Sequence, residues 1–212
     1  PYLSGRKTSY RRWSTAYAEQ LIREDIRDLT GVKGITELET LYHLLPAQVG
    51  RLLSVPGLAQ GLQVAYNTIR SWLMTLQRFF VVFSLSPWSR DVPRAIREGQ
   101  KIYLWDVPRV RDAEAHFENM VALELCRAVF NWNEMGYGRF SLNFIRTKDQ
   151  QEVDFILSDD GRPVLLVDAR AQEHQPSAAL MKFQSALNVP AVQLVQAAEG
   201  YRRVSNEGQS IL

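Results

Sequence analysis

Residues 151–170, QEVDFILSDDGRPVLLVDAR, decide how this chain is read. Two runs of apolar alternation flank an Asp-Asp-Gly turn, the pattern of a hairpin of two short strands. In the first strand Val153, Phe155 and Leu157 share one face of the pleat, and Asp154 and Ile156 share the other. In the second, Val164, Leu166, Asp168 and Arg170 share a face, so Asp168 and Arg170 point the same way. With the two faces in register, Asp154, Asp168 and Arg170 converge at one end of a sheet. Two carboxylates and a cation so placed are the residue types of a metal-dependent phosphodiester site.

The segments around the hairpin supply the rest of an α/β layer. Residues 101–105 read as a short strand closed by Asp106-Val107-Pro108, and residues 112–130 as the longest helix of the second half. Phe117, Val121, Leu125 and Val129 form its apolar stripe, widened by Met120 and Ala128. Glu118 stands at the edge of that stripe and Glu124 further along; a solvated flank is the plain reading, because a carboxylate at a core edge costs desolvation unless it has a partner. Residues 140–146 read as a strand, 175–188 as a helix with Leu180, Phe183 and Leu187 inward, and 191–195 as a buried strand. Helix, three strands, helix, strand makes an α/β sandwich with a mixed sheet, and the tail to Leu212 reads as a truncated edge.

The first half is helical. Residues 9–30 form an amphipathic helix with Trp13, Tyr17 and Leu21 inward, ended by Gly31 and Gly34. A helix over 36–45 has Thr36 as N-cap with Glu39 in the capping-box position. A second starts after Pro46 and carries Val49, Leu52 and Leu53; Pro56-Gly57 then reads as a turn. The third runs over 66–78 with Ile69, Trp72, Leu73 and Leu76 inward, and 79–85 follows as a strand. Three helices and a strand are the outline of a winged helix. Its third helix presents Tyr66, Asn67 and Arg70, residue types that suit a DNA major groove and also an ordinary protein-contacting surface. Arg90, Arg94 and Arg97 in 87–99 read as a wing.

Bulk properties exclude several classes. The chain of 212 residues is 46% apolar and 23% charged, within the range of folded globular domains. Its formal charge of +2 divides into a basic first half, 13 Lys/Arg against 8 Asp/Glu in residues 1–100, and an acidic second half, 12 against 15. The first half is the better partner for a polyanion. The longest uncharged apolar run, 79–85, is far short of the roughly 20 residues of a membrane helix, and no signal-peptide pattern leads the chain, so a soluble, cytoplasmic protein is expected. The single cysteine, Cys126, excludes an internal disulfide and reads as a buried small hydrophobe. His43, His116 and His174 lack ligand spacing for zinc. Gly5-Arg6-Lys7-Thr8 lacks the earlier glycine and the strand of a phosphate loop. Opening on PYLSGRKTSY without an initiator Met, the chain reads as a piece of something longer.

The order of motifs resembles a family. Phe117-Glu118-Asn119 with Leu123-Glu124-Leu125, then Glu152-Val153-Asp154-Phe155, then Val167-Asp168-Ala169-Arg170 resemble the C-terminal region of prokaryotic AAA+ ATPases of the archaeal-type ATPase superfamily. There a winged-helix region precedes an uncharacterised domain with a PD-(D/E)xK nuclease-like fold. PYLSG, the Trp13/Tyr17 helix with Arg23-Glu24-Asp25-Ile26, and Lys101-Ile102-Tyr103-Leu104 extend the resemblance over most of the chain. The resemblance implies a linker helix over 1–34, a winged-helix-like domain over 35–100 and a nuclease-like α/β domain over 101–212. It matches Asp154 to the first metal-binding acid and Glu118 to the helix acid.

The third motif, usually Glu-x-Lys, is here Asp168-Ala169-Arg170. Asp for Glu shortens the reach by one methylene, against a Mg²⁺ that demands near-ideal octahedral geometry. Arg for Lys keeps a cation but loses the compact ammonium that orients the attacking water. The expectation is therefore an accessory module of an ATPase whose nucleotide site lies elsewhere, engaging DNA or regulating the ATPase, with a degenerate nuclease-like site. The alternatives are a Mg²⁺-dependent DNA endonuclease, with Asp154 and Asp168 as ligands, Glu118 as accessory acid and Arg170 as transition-state cation, and a module that contacts only protein.

Overall fold

A computed structural model describes residues 7–26, 33–88, 99–172, 175–196, 200, 203–206 and 209–212. Gly5, Arg6, Gly31, the three arginines of the expected wing and His174 lie outside the described residues. The chain divides into two compact units, one of residues 1–48 and 54–83, the other of Val49–Leu53 and Ser84–Leu212. The boundary expected from the sequence stood before Lys101; by compactness the second unit begins at Ser84 and takes in Val49–Leu53.

In the first unit, α1 (Lys7–Gln20) passes into a π-helical segment, Leu21–Ile26. The buried line is Ala18, Leu21, Ile22 and Ile26, one residue off the expected stripe, so Trp13 and Tyr17 are exposed and stack on each other, ring centroids 5.1 Å apart. α2 (Ile35–Leu44) is capped by Gly34 at φ 77, not by Thr36, which already lies inside the helix and accepts a bond from the Thr40 hydroxyl on its carbonyl. A left-handed residue before the first turn suits only a glycine at low cost. The helix expected after Pro46 is a single 3₁₀ turn, Leu45–Gln48. α3 (Val55–Gly61) begins where a turn was expected: the Ser54 hydroxyl accepts from the Gly57 N–H at 3.1 Å, and Pro56 sits in the first turn, where its missing N–H is no loss. α4 (Tyr66–Arg78) buries Ile69, Trp72, Leu73 and Leu76 as the periodicity requires.

Phe80, exposed at φ 55, delays the next strand, so β1 is Val82–Leu85. The division between the units falls inside β1, which pairs with β2 (Lys101–Leu104) in a two-stranded sheet.

The second unit carries α5 (Ala113–Glu134), β3 (Phe140–Arg146), β4 (Glu152–Asp159), β5 (Arg162–Arg170), α6 (Ala178–Leu187), β6 (Ala191–Val195), β7 (Val204–Asn206) and β8 (Gln209–Ile211). The sheet order is β3-β4-β5-β6-β8-β7. β3, β4 and β5 are an antiparallel meander; α6 then crosses to β6, parallel to β5. The helix, three-strand, helix, strand order is the one expected, and the tail is a pair of short strands at the edge. Asp160 and Gly161, at φ 48 and 75, make the tight β4–β5 turn, a backbone twist that matches the flanking strands. One face of the sheet, through Ile145, Val153, Ile156 and Leu166, packs on Leu180 and Phe183 of α6 to form the core.

Candidate functional site

Val153 and Ile156 face the same core although they are three residues apart, a spacing that regular alternation forbids. A bulge accounts for it. Asn143 pairs with Ile156 and Ile145 with Val153, so β4 spends one residue more than β3 across Asp154 and Phe155. The expected sharing of a face by Asp154 and Ile156 is therefore replaced by a local re-aiming of Asp154. Its Oδ2 accepts from the Ala169 N–H at 3.0 Å, tying it to β5, and its Oδ1 lies 3.4 Å from the Nζ of Lys101.

Lys101 is the centre of the arrangement. It is 0% exposed at the head of β2, yet its ammonium touches three carboxylates: Glu118 Oε1 at 3.1 Å, Asp154 Oδ1 at 3.4 Å, and Glu152 in the closest contact of all. The Tyr103 hydroxyl, two residues along the same strand face, donates to Glu118 Oε1 at 2.7 Å. Asn119 fixes this strand against α5 by two hydrogen bonds to Leu104, accepting from its N–H at 2.7 Å and donating to its carbonyl at 2.8 Å. Asn119 thereby sets β2 beside Glu118. From another direction, a Cβ built on Gly50 would stand 2.4 Å from Glu118 Oε2 and would push that carboxylate aside, and at φ 74 any side chain is strained. The Val49–Leu53 stretch is held there by the Leu53 N–H donating to the Gln100 carbonyl at 2.8 Å.

Asp168 and Arg170 do share a face and form a two-armed pair, Nε to Oδ2 at 3.1 Å and a terminal nitrogen to Oδ1 at 3.2 Å. Arg146 takes the second oxygen of Glu152 at 2.7 Å. The cluster thus sets four carboxylates, Glu118, Glu152, Asp154 and Asp168, against three cations, Lys101, Arg146 and Arg170. One negative charge is left over in a low-dielectric place, and a proton is the cheapest way to remove it.

The titration directions agree. Burial, and then the charge of Asp154, push Glu118 up to about 7 despite Lys101 and the Tyr103 bond. Burial and Asp154 likewise push Asp168 up to about 7 against the pull of Arg170. Burial alone would lower the pKa of Lys101, but Glu118, Asp154 and Glu152 outweigh it and hold the ammonium charged, above the ordinary lysine range. Burial and the Glu118 charge keep the Tyr103 phenol protonated.

These residues do not fit a divalent metal. Mg²⁺ needs oxygens converging at about 2.0–2.1 Å, and the point toward which Glu118, Glu152 and Asp154 converge is taken by Lys101 Nζ. Asp168 is engaged on both oxygens by Arg170. Among the described residues, no group of three or more His, Cys, Asp or Glu is arranged to hold a metal ion. An ammonium held charged cannot take a proton from water, so Lys101 is no general base.

Of the residues singled out from sequence, Glu118, Asp154, Asp168 and Arg170 come together. Glu118 is 9% exposed, so the solvated-flank reading is overturned; its desolvation is met by Lys101 and Tyr103. Glu124 does lie on the outside, paired with Arg127 at 2.9 Å. Tyr66, Asn67 and Arg70 stand exposed on α4, in the other unit. Sequence reading quoted Lys101, Tyr103, Asn119 and Glu152 within the motifs but gave none of them a place in the site. The available signal was the i, i+2 placement of Lys101 and Tyr103, two polar tips on one face of an otherwise apolar strand.

Comparison with known proteins places both units among uncharacterised ones. The family described as domain of unknown function DUF8612 matches residues 2–110, and the one described as domain of unknown function DUF4143 matches residues 113–211. The uncharacterized protein Rv2008c of Mycobacterium tuberculosis and the uncharacterized protein Mb2031c of Mycobacterium bovis are each 26% identical to the chain over 166 residues. Those alignments cover 71% of this chain and 36% of each relative, so the chain spans about a third of the length of the curated relatives it matches. No solved structure matches it. Among the described residues, no helix is long and apolar enough to cross a membrane.

Proposed function

We propose, for a chain that belongs to the DUF8612 family and continues into a DUF4143 domain, the role of a non-cleaving accessory module of a larger cytoplasmic AAA+ ATPase, built on a nuclease-like scaffold. The order of motifs that resembles the C-terminal region of such ATPases supports the assignment, as does the helix, three-strand, helix, strand order of the second unit. The observation that carries the loss of cleavage is Lys101 Nζ, 0% exposed and in contact with Glu118, Glu152 and Asp154.

A nuclease of this class works by letting carboxylates share a divalent ion that charges the attacking water and the leaving oxygen. Here the acids share a lysine. The lysine neutralises them and cannot be displaced without leaving its own charge buried. The departure at Asp168-Ala169-Arg170 acts the same way, since Arg170 turns back on Asp168 instead of presenting a free cation. The module is thus a folded, charge-closed body available for contacts with the rest of the ATPase.

Incubating supercoiled plasmid with the chain and Mg²⁺ or Mn²⁺, beside Asp154→Ala, tests this reading. The expected result is no nicking beyond that of the variant. Metal-dependent nicking that Asp154→Ala abolishes would overturn it and restore the endonuclease.

A further inference from the structure

We infer that the α3–α4 pair is a helix-turn-helix that docks on double-stranded DNA with the N-terminal half of α4 in the major groove. This goes beyond the non-cleaving reading of the second unit and does not rest on it. A helix of seven residues, a connection over 62–65 and a helix of 13 residues have the lengths of that motif. The connection is held by its own backbone. The N–H groups of Leu62, Gln63 and Val64 donate back to the carbonyls of Leu58, Gln60 and Ala59 at 3.0, 3.2 and 3.0 Å, with Gln63 in the left-handed region at φ 54. α4 is therefore presented at a fixed angle.

With Ile69, Trp72, Leu73 and Leu76 turned into the core, the opposite face shows Tyr66, Asn67, Arg70 and Ser71 to solvent. Asn67, Arg70 and Ser71 are neighbours at i, i+3 and i+4, one patch at the start of the helix. The Arg70 guanidinium lies 5.9 Å from the centroid of the Tyr66 ring, which steadies it along the helix. Asparagine and arginine are the side chains that reach adenine and guanine edges two-handedly.

Charge selects the partner. Residues 40–90 contain no Asp or Glu, although acids number 23 in the 212-residue chain. The α3–α4 pair and its connection carry no acid of their own, while Arg70 and Arg78 attract a phosphate backbone. At the start of α4 the exposed side chains other than Tyr66 are polar, and the exposed Met74 follows one turn further along the same face.

A pool of labelled duplexes with randomised centres is passed over the immobilised chain at about 50 mM salt, and the retained duplexes are sequenced and titrated by fluorescence anisotropy. The expected result is a shared short motif whose binding weakens steeply with added salt. Asn67→Ala and Arg70→Ala each weaken binding to the recovered duplex by about 5- to 150-fold, with thermal midpoints unchanged because both side chains are exposed. Asn67→Glu, which puts a carboxylate into the acid-free stretch, abolishes binding. No retention, retention without a shared motif, or binding untouched by both alanine variants overturns the inference. Recovery of cut duplexes would instead contradict the non-cleaving reading, so the two failures are told apart.

Discussion

The two units use charge in opposite ways. In the α/β unit Lys101, Arg146 and Arg170 are spent on Glu118, Glu152, Asp154 and Asp168, and the lysine at the centre is out of water altogether. On α4 of the helical unit, Asn67 and Arg70 face solvent in a stretch without a single carboxylate. The contrast teaches where each kind of charge can act. A charge neutralised inside a protein fixes the positions of its neighbours and has nothing left for a ligand; a charge without a counter-ion keeps its field for whatever arrives. The acid-rich hairpin that looks catalytic is on this account structural, and the charge-poor helix is the one with something to offer.

The contrast breaks most visibly at Lys101. Lys101→Met removes the cation and leaves the buried Glu118 and Asp154 facing each other beside the partly buried Glu152, and urea unfolding should report a loss of about 3–5 kcal/mol. A loss below about 1 kcal/mol would mean the lysine is a bystander. Next in size is Gly50→Ala, which forces a side chain into the left-handed region at about 1–2 kcal/mol and pushes on Glu118, so a total of roughly 2–4 kcal/mol is expected. Full stability in that variant would show that the Val49–Leu53 stretch does not press on the cluster.

The pH profile sharpens the same point. Glu118 and Asp168 titrate near 7 in the folded chain, above their ordinary values of 4.5 and 3.8. Between the two ranges the folded state binds more protons than the unfolded one, so stability falls as pH rises from about 4 to about 7. The fall should be on the order of 1–3 kcal/mol, and Asp168→Asn should flatten part of it. Stability that climbs across this window would contradict the leftover negative charge. At the small end, Arg70→Ala should change the unfolding free energy by no more than about 0.5 kcal/mol, because its guanidinium is in water; a larger loss would make α4's charge structural too.

How much of this was legible in the sequence depends on how local the cause is. Strands β3 and β6 and helix α4 stand where period and bounding residues put them, since alternation and the 3.6-residue stripe are properties of neighbouring positions. The pairing of Asp168 with Arg170 was legible for the same reason. Pro56-Gly57 misled because the residue pair that makes a turn also opens a helix when a serine precedes it, and only the Ser54 bond tells the two apart. The bulge in β4 depends on its pairing with β3, which alternation within one strand cannot report. Lys101 was the largest omission. A lysine at the head of a strand reads as a solvated flank; its partners lie 17 and 53 residues away, on α5 and β4, and only the assembled sheet brings them together.

The most direct test of the central claim is a calorimetric titration of Mn²⁺ into the intact chain, with Asp154→Asn as the reference. If Lys101 occupies the place of the metal, both proteins give the same unsaturable heats. A saturable site of one ion per chain, lost in Asp154→Asn, would contradict the account, because it would show the acids still share an ion and the lysine steps aside for it.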